Sequence, residues 1–245
     1  MGPAEKPHRV RMTPGARRVL EAAERLFYER GIHAVGVDLI AAEAGVTKKT
    51  LYDRFGSKEQ IVVEYLAGRD ERWRDLLAGR LEAVADQGAA ARVLAVFEAS
   101  RAWAAEYGSK GCSMINAHAE ISDPAHPAYP VITGQKRWML DLFTRLTRQA
   151  GEVDVGGANE RTGAVAGTSA HQGAGAHQGT GAVEGTGAVE GAGADRLVRT
   201  LMLLHEGALV AHGLGVFPDP FGHALDQVRD LLEDGAAAGW GTPLG

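Results

Sequence analysis

The stretch from Val37 to Ile61, VDLIAAEAGVTKKTLYDRFGSKEQI, decides the fold of this chain. Val37, Ile40, Ala41 and Ala44 recur at three- and four-residue intervals, the spacing that gathers apolar side chains on one face of a short helix. Gly45 then supplies a tight turn at a position where a side chain is costly. Thr47 is placed to cap a third helix running to about Phe55, and Leu51 and Phe55, one turn apart, point inward from it. Ser57-Lys58-Glu59-Gln60 reads as a capping box, the serine oxygen closing on the third amide and the glutamine reaching back. Two short helices joined across a glycine turn outline a helix-turn-helix.

Working outward, Val19, Ala22, Ala23, Leu26 and Phe27 make one face of a preceding helix over Thr13 to Arg30, which Gly31 stops. Residues 1–12 before it form a flexible basic arm carrying Arg9 and Arg11. On the other side, Ser57 opens a long helix whose Ile61, Val62, Tyr65, Leu66, Trp73, Leu76 and Leu77 form a buried stripe and tie head to body. Helical patterning continues at roughly 89–107 and 112–121, breaks at Asp123-Pro124 and His126-Pro127, and resumes over about 128–150. No stretch alternates with a period of two, so no sheet is expected. The predicted fold is all-α: a three-helix DNA-binding head over 13–59 and a helical-bundle domain over 60–245.

The body is interrupted by a stretch of different character. Ala170 to Gly193 is four consecutive hexapeptides, AHQGAG, AHQGTG, AVEGTG and AVEGAG, with at most one valine in each. A hexapeptide β-helix needs a larger apolar side chain in every turn. The low-complexity Gly/Ala segment at about 156–194 is therefore read as a flexible insert, because it buries too little surface to offset the entropy of ordering. Order is expected to resume at Asp195 in an apolar helix to about Gly213, with Leu197, Val198, Leu201, Met202, Leu204, Leu209 and Val210. The turn Phe217-Pro218-Asp219-Pro220 leads to a last helix over 221–237, with Leu225, Val228, Leu231 and Leu232. These two helices, about 195–213 and 221–237, carry more apolar surface than one partner covers, which predicts a homodimer through them.

Bulk properties narrow the partners. The net charge is −5, yet residues 1–60 carry +3 and the remainder −8, as expected when one end alone meets phosphates. Cys112 is the single cysteine, which excludes an internal disulfide and suits a reducing compartment. The polar N-terminus and the absence of an apolar run of about 18 residues predict a cytoplasmic protein that does not enter a membrane.

The run from Arg17 to Ile61, with AAERLF at 22–27, Gly31, Ile40-Ala41, AGV at 44–46, TKKTLYDRF at 47–55 and SKEQI at 57–61, resembles the DNA-binding region of the TetR family of repressors. Two positions depart from the family pattern: Gly36 stands where Ser or Thr usually caps the second helix, and Lys49 where Gly is frequent. Gly is an acceptable cap and Lys a good helix former, so neither threatens the fold. The resemblance implies a sequence-specific, ligand-responsive regulator, most often a homodimeric repressor released from a palindromic operator in double-stranded DNA.

Within the third helix, the first turn offers Thr47, Lys48, Lys49 and Thr50 to phosphates and base edges of a major groove. The resemblance gives Tyr52 and Lys58 backbone contacts, which set register without reading sequence. Lys48, Lys49 and Asp53 are the candidates for base readout, and Arg9 and Arg11 for a neighbouring groove. The resemblance also implies an effector pocket in the bundle, for which Trp103, Met114, Asn116, His118, Trp138, Phe143 and His205 are the candidate lining residues.

No cofactor is called for. The body holds no GxSxG elbow, no P-loop and no di-metal ExxH pair, so an enzyme is not expected. His118, Glu120, His205, Glu206 and His212 are not spaced as a dedicated metal ligand set. A redox-responsive regulator using Cys112, or a metal-responsive one, on the same head is the alternative.

Overall fold

A computed structural model describes residues 9–157 and 186–237. Among them there are nine helices and no strand: α1 (Pro14–Arg30), α2 (Val37–Glu43), α3 (Lys48–Phe55), α4 (Lys58–Glu82), α5 (Gly88–Tyr107), α6 (Ser113–Glu120), α7 (Tyr129–Gly157), α8 (Thr186–Leu214) and α9 (Pro220–Ala237).

Local chemistry sets the head's helix starts. Thr13 Oγ1 accepts the Ala16 N–H at 3.3 Å ahead of Pro14, whose fixed φ suits a first helical position. Thr47 Oγ1 accepts the Thr50 N–H at 3.1 Å, and Ser57 Oγ the Gln60 N–H at 3.0 Å. Gly36 precedes α2 without a side-chain cap. Gly31 ends α1 at φ +88°, a backbone conformation that L side chains rarely adopt.

Two apolar cores follow. The first joins α1, α2 and α3 to Ile61, Val62, Val63, Tyr65 and Leu66 of α4, and it extends to Met114, Ala117, Ile121, Ala128 and Ile132. Packing thus crosses the sequence boundary near residue 60, and α6 belongs to the head's core as much as to the bundle. The second core lies in the body, where α5 packs against α4, α7, α8 and α9 around Phe97, Phe143, Leu201 and Val228. Cys112 touches both.

The structure revises three expectations. The α4 stripe is wider than an amphipathic face, because Ile61 through Ala67 are all buried, Glu64 included, where the helix runs between head and body. Helix α7 continues to Gly157, and α8 begins at Thr186, nine residues ahead of Asp195 and inside the repeat. Once the apolar turns from Leu197 onward fix a helix, adding residues to it avoids the nucleation cost, so Ala- and Glu-bearing units extend it despite their glycines. The rest of the insert, 158–185, lies outside the described residues, as do residues 1–8 of the arm. Arg9 to Met12, expected to belong to that arm, run against α4 instead: the buried Glu64 carboxylate receives Val10 N–H at 2.6 Å and Arg9 Nε at 2.9 Å. A carboxylate without solvent requires such donors.

Candidate functional site

Helix α3 stands at the surface on Leu51 and Phe55, both buried, and presents its opposite side outward. Tyr52 is 41% exposed there. Thr47 and Thr50 share a hydroxyl contact of 2.9 Å at the helix start. Each lysine carries a carboxylate: Lys48 Nζ lies 3.0 Å from Asp38 on α2, and Lys49 Nζ lies 2.8 Å from Asp53 one turn on. These exposed pairs are weak and exchange readily for a phosphate. The candidates Thr47, Lys48, Lys49, Thr50, Tyr52 and Asp53 therefore share one exposed surface.

Two others are drawn elsewhere. Lys58 Nζ donates to the Ile32 carbonyl at 2.6 Å beside the Phe27 ring, which fastens α4 to the α1–α2 turn. Arg9 is tied to Glu64 and also to Glu71, while Arg11 is exposed. Sequence reasoning missed Glu64. Its signal is an acid inside the apolar run Ile61 to Leu66.

The body holds a partly open cavity of about 50 Å³ between α4, α5, the 108–112 loop, α6, α7 and α8. Of the seven lining candidates, Trp103, Met114 and His205 lie in its wall. The others do not. Asn116 donates to the Lys110 carbonyl, His118 packs at a tilt against Tyr129, Trp138 lies under the Arg74 guanidinium, and Phe143 packs fully buried against Phe97. Wall residues that sequence reasoning overlooked include Arg69, Asp70 and Trp73 on α4 and Gln135 and Lys136 on α7. They carry a readable signal: Arg69 sits four residues from both Tyr65 and Trp73 in the α4 stripe, and Lys136 four from Ile132 in that of α7.

Polar groups line one side in a chain. Lys136 Nζ donates to both oxygens of Glu206, at 2.9 and 2.7 Å, and to Cys112 Sγ at 3.2 Å. His205 Nδ1 meets Glu206 Oε1 at 3.3 Å and its Nε2 meets Ser100 Oγ at 2.8 Å. Burial alone pushes the Glu206 pKa up, but His205 and the Lys136 ammonium outweigh it and hold it at about 2. Burial lowers the pKa of His205, which leaves its ring uncharged at neutral pH. A neutral His205 has one ring N–H to give, and because Ser100 Oγ donates its own proton to the Val96 carbonyl at 2.8 Å, that N–H serves either Glu206 at Nδ1 or Ser100 at Nε2.

Loop 108–112 is pressed against α8. A Cβ on Gly213 would lie 2.6 Å from Gly111 N, and one on Gly111, at φ +76°, would lie 2.9 Å from Leu209 O. The same loop is bonded to the head, because Tyr28 Oη donates to the Gly111 carbonyl and accepts the Lys110 N–H, each at 2.9 Å. Arg69 links these parts: it lies 4.5 Å from the Tyr28 ring centroid and 5.4 Å from that of Trp103, and donates to the Tyr107 carbonyl.

Residues 19–65 match the model of bacterial regulatory proteins of the tetR family, and the stretch covers α2, α3 and most of α1 with the start of α4. The whole fold agrees: a TetR-family transcriptional regulator from Streptomyces coelicolor, SCO4454, superposes with a TM-score of 0.68 at 28% identity over 90% of this chain and 95% of that one. Residues 19–65 thus match the DNA-binding region of the tetR family, and the fold is that of a TetR-family regulator. Among curated relatives, the HTH-type transcriptional activator FasR of Mycolicibacterium smegmatis is 41% identical over 66 residues, 27% of this chain and 29% of its own. The HTH-type transcriptional repressor KstR2 of the same organism is 41% identical over 75 residues, 30% of this chain and 35% of its own. The chain thus matches only about a third of the length of these curated relatives. No helix among the described residues is long and apolar enough to cross a membrane, and none of their His, Cys, Asp and Glu side chains gather in threes to hold a metal.

Proposed function

We propose that this chain is a cytoplasmic, homodimeric DNA-binding transcriptional regulator that holds a palindromic operator and releases it when a small molecule occupies the body cavity. The observation that carries the reading is α4, one unbroken helix that starts at Lys58 beside α3 and places Arg69, Asp70 and Trp73 in the cavity wall. At about 50 Å³ the cavity is smaller than the roughly 150 Å³ in which an engineered apolar cavity takes up benzene, so a ring-sized effector enters by parting the walls. Moving Trp73 moves α4 and the head fastened to it. A coupling of about 1–3 kcal/mol changes operator affinity roughly 5 to 150-fold.

In this reading Thr47, Lys48, Lys49, Thr50, Tyr52 and Asp53 meet the major groove, with Lys48, Lys49 and Asp53 at base edges. Lys58 and Arg9 act from behind by holding α4 to the head, and Arg11 is the arm's candidate for a neighbouring groove. Dimerisation is assigned chiefly to α8. Leu203, Gly207, Val210 and Leu214 form an exposed stripe at helical spacing, with Leu203 at 74% and Leu214 at 72% exposure, whereas the outward face of α9 carries His223, Asp226, Gln227 and Asp230. Two copies joined there hold their α3 helices for successive major grooves, roughly 34–36 Å apart. With an activator and a repressor both among its relatives, repression is preferred because occupancy of the cavity disturbs the head's support.

The test is a gel-shift of purified protein against the DNA flanking its own gene, with footprinting of shifted fragments and Lys48→Ala and Tyr52→Ala as controls. The expected result is a protected palindrome that both variants fail to protect. Specific shifts that both variants retain would sink the assignment of α3.

A further inference from the structure

On the reading that the body cavity takes the effector, its wall also specifies the effector's chemistry. The charged groups around it are already matched. Arg69 lies 3.8 Å from Glu24 and Arg72 is paired with the same carboxylate, Lys136 is bound by Glu206, and Asp70 Oδ2 is 2.8 Å from Arg74. Each charged wall group has an opposite charge beside it, and the one positive charge in excess belongs to the Arg69–Arg72 pair on Glu24, of which Arg72 is half exposed to solvent. Ser100 is met by His205 and the Val96 carbonyl, and His205 by Ser100 and Glu206.

What remains unmet is of one kind. Asp70 Oδ1 and Gln135 Oε1 are buried, accept no hydrogen bond, and belong to residues that line the cavity from two different helices, α4 and α7. Gln135 is 7% exposed, so bulk water does not serve it. Buried acceptors are normally paired, and each one left alone costs roughly 1–3 kcal/mol, so an occupant that donates to them recovers that cost. The rest of the wall is apolar and aromatic: Trp73 and Trp103 meet edge to face at 5.8 Å between ring centroids, with Met114, Ala104 and Leu209 beside them. Such edges and faces accommodate a flat ring.

We infer that the cavity of this protein binds a compact, flat, uncharged molecule that carries N–H or O–H donors, of the phenol or arylamine class. Its ring lies against Trp73 and Trp103; the two N–H groups of an arylamine donate to Gln135 and Asp70, and the single O–H of a phenol donates to Gln135. Donor recognition of this sort discriminates sharply, because an isostere without the donor leaves the same acceptors buried and unpaired.

The test compares probes of one shape. Phenol, aniline, toluene and benzoate are titrated into the full-length protein, with affinities read by ligand-observed NMR. Phenol and aniline are expected to bind at least about 10-fold more tightly than toluene, with benzoate weakest because its carboxylate faces two acceptors. In Gln135→Leu the advantage of phenol over toluene is expected to shrink below about threefold. Gln135→Met, of similar length, serves if the leucine variant does not fold. Equal affinity for toluene and phenol, a preference for benzoate, or an undiminished advantage in the variant would overturn the donor assignment while leaving the cavity a binding site. Failure of all four probes to bind would overturn it together with the effector half of the proposed function, and operator binding would stand apart from both.

Discussion

The carboxylate of Glu120, the last residue of α6, accepts the backbone N–H of Ile32 at 2.8 Å and that of His33 at 2.6 Å. A helix whose first residues line the cavity thereby holds the turn between α1 and α2, to which Lys58 of α4 also donates. The head is supported from two sides of the cavity, by α4 directly and by α6 through this carboxylate. In Glu120→Ala both amides lose their acceptor, and a loss of about 1–2 kcal/mol in unfolding free energy is expected. Urea denaturation measures it, and faster amide exchange at Ile32 and His33 locates it. Unchanged exchange there would show that the carboxylate is not what holds the turn.

Lys48 and Tyr52 test the DNA-facing side of α3 without disturbing its core. Because both side chains are exposed, Lys48→Ala and Tyr52→Ala should shift the unfolding midpoint little. Operator binding should fall in both. For Lys48→Ala the slope of log affinity against log salt should decrease by about one, as expected when one phosphate contact is lost. Affinity measured from low to moderate salt checks this, and an unchanged slope would leave Lys48 on Asp38 in the complex.

The exposed apolar stripe of α8 makes a separate prediction. Leu203→Glu together with Leu214→Glu introduces charge where two copies would meet, at positions that contribute nothing to the monomer's core. Sedimentation should change from a dimer to a folded monomer of half the mass. Operator binding should weaken with it, since two half-sites are no longer held together. A dimer that survives both substitutions places the interface elsewhere.

Stability should fall on acidification in two stages that the variants separate. Burial depresses the pKa of His205, so the unfolded chain takes up a proton that the folded interior refuses, and stability declines as pH drops below 6.5. Glu206 has the opposite charge type and the same sign of effect. It stays ionised in the fold down to about 2 but protonates in the unfolded chain near 4.5, so its contribution is complete above 4.5 and is lost between these values. Compared with the parent, His205→Gln should flatten the upper limb and Glu206→Gln the lower one, in urea midpoints taken from pH 8 to 3. Curves parallel to the parent's would mean that neither group is linked to folding.

The head was legible in the linear sequence because its determinants are local. Apolar spacing in Val19 to Phe27, the Gly45 turn, and the Thr47 and Ser57 caps act over one or two helical turns, and α2, α3 and α4 appear where those signals place them. The all-α class followed from the same periodicity. Helix termini inside the repeat were less legible. Composition speaks for the average behaviour of a segment, whereas α8 reaches back to Thr186 by extending a helix whose anchoring lies beyond Asp195.

What the sequence by itself determined, then, is which segments coil, which face of each is apolar, and that one end is built like a DNA-binding head. The tertiary structure alone decided which polar residues meet across the sequence. Arg9 turning back to Glu64, Glu120 reaching Ile32 across 88 residues, and Lys136 finding Glu206 70 residues away depend on how helices cross. The cavity wall was divided the same way: Trp103, Met114 and His205 were foreseeable, while Arg69, Asp70 and Gln135 stood in apolar stripes as unexplained polar residues. The physical reason is that burial makes a polar group seek a partner wherever the packing supplies one, and nothing in its sequence neighbourhood encodes who that partner is.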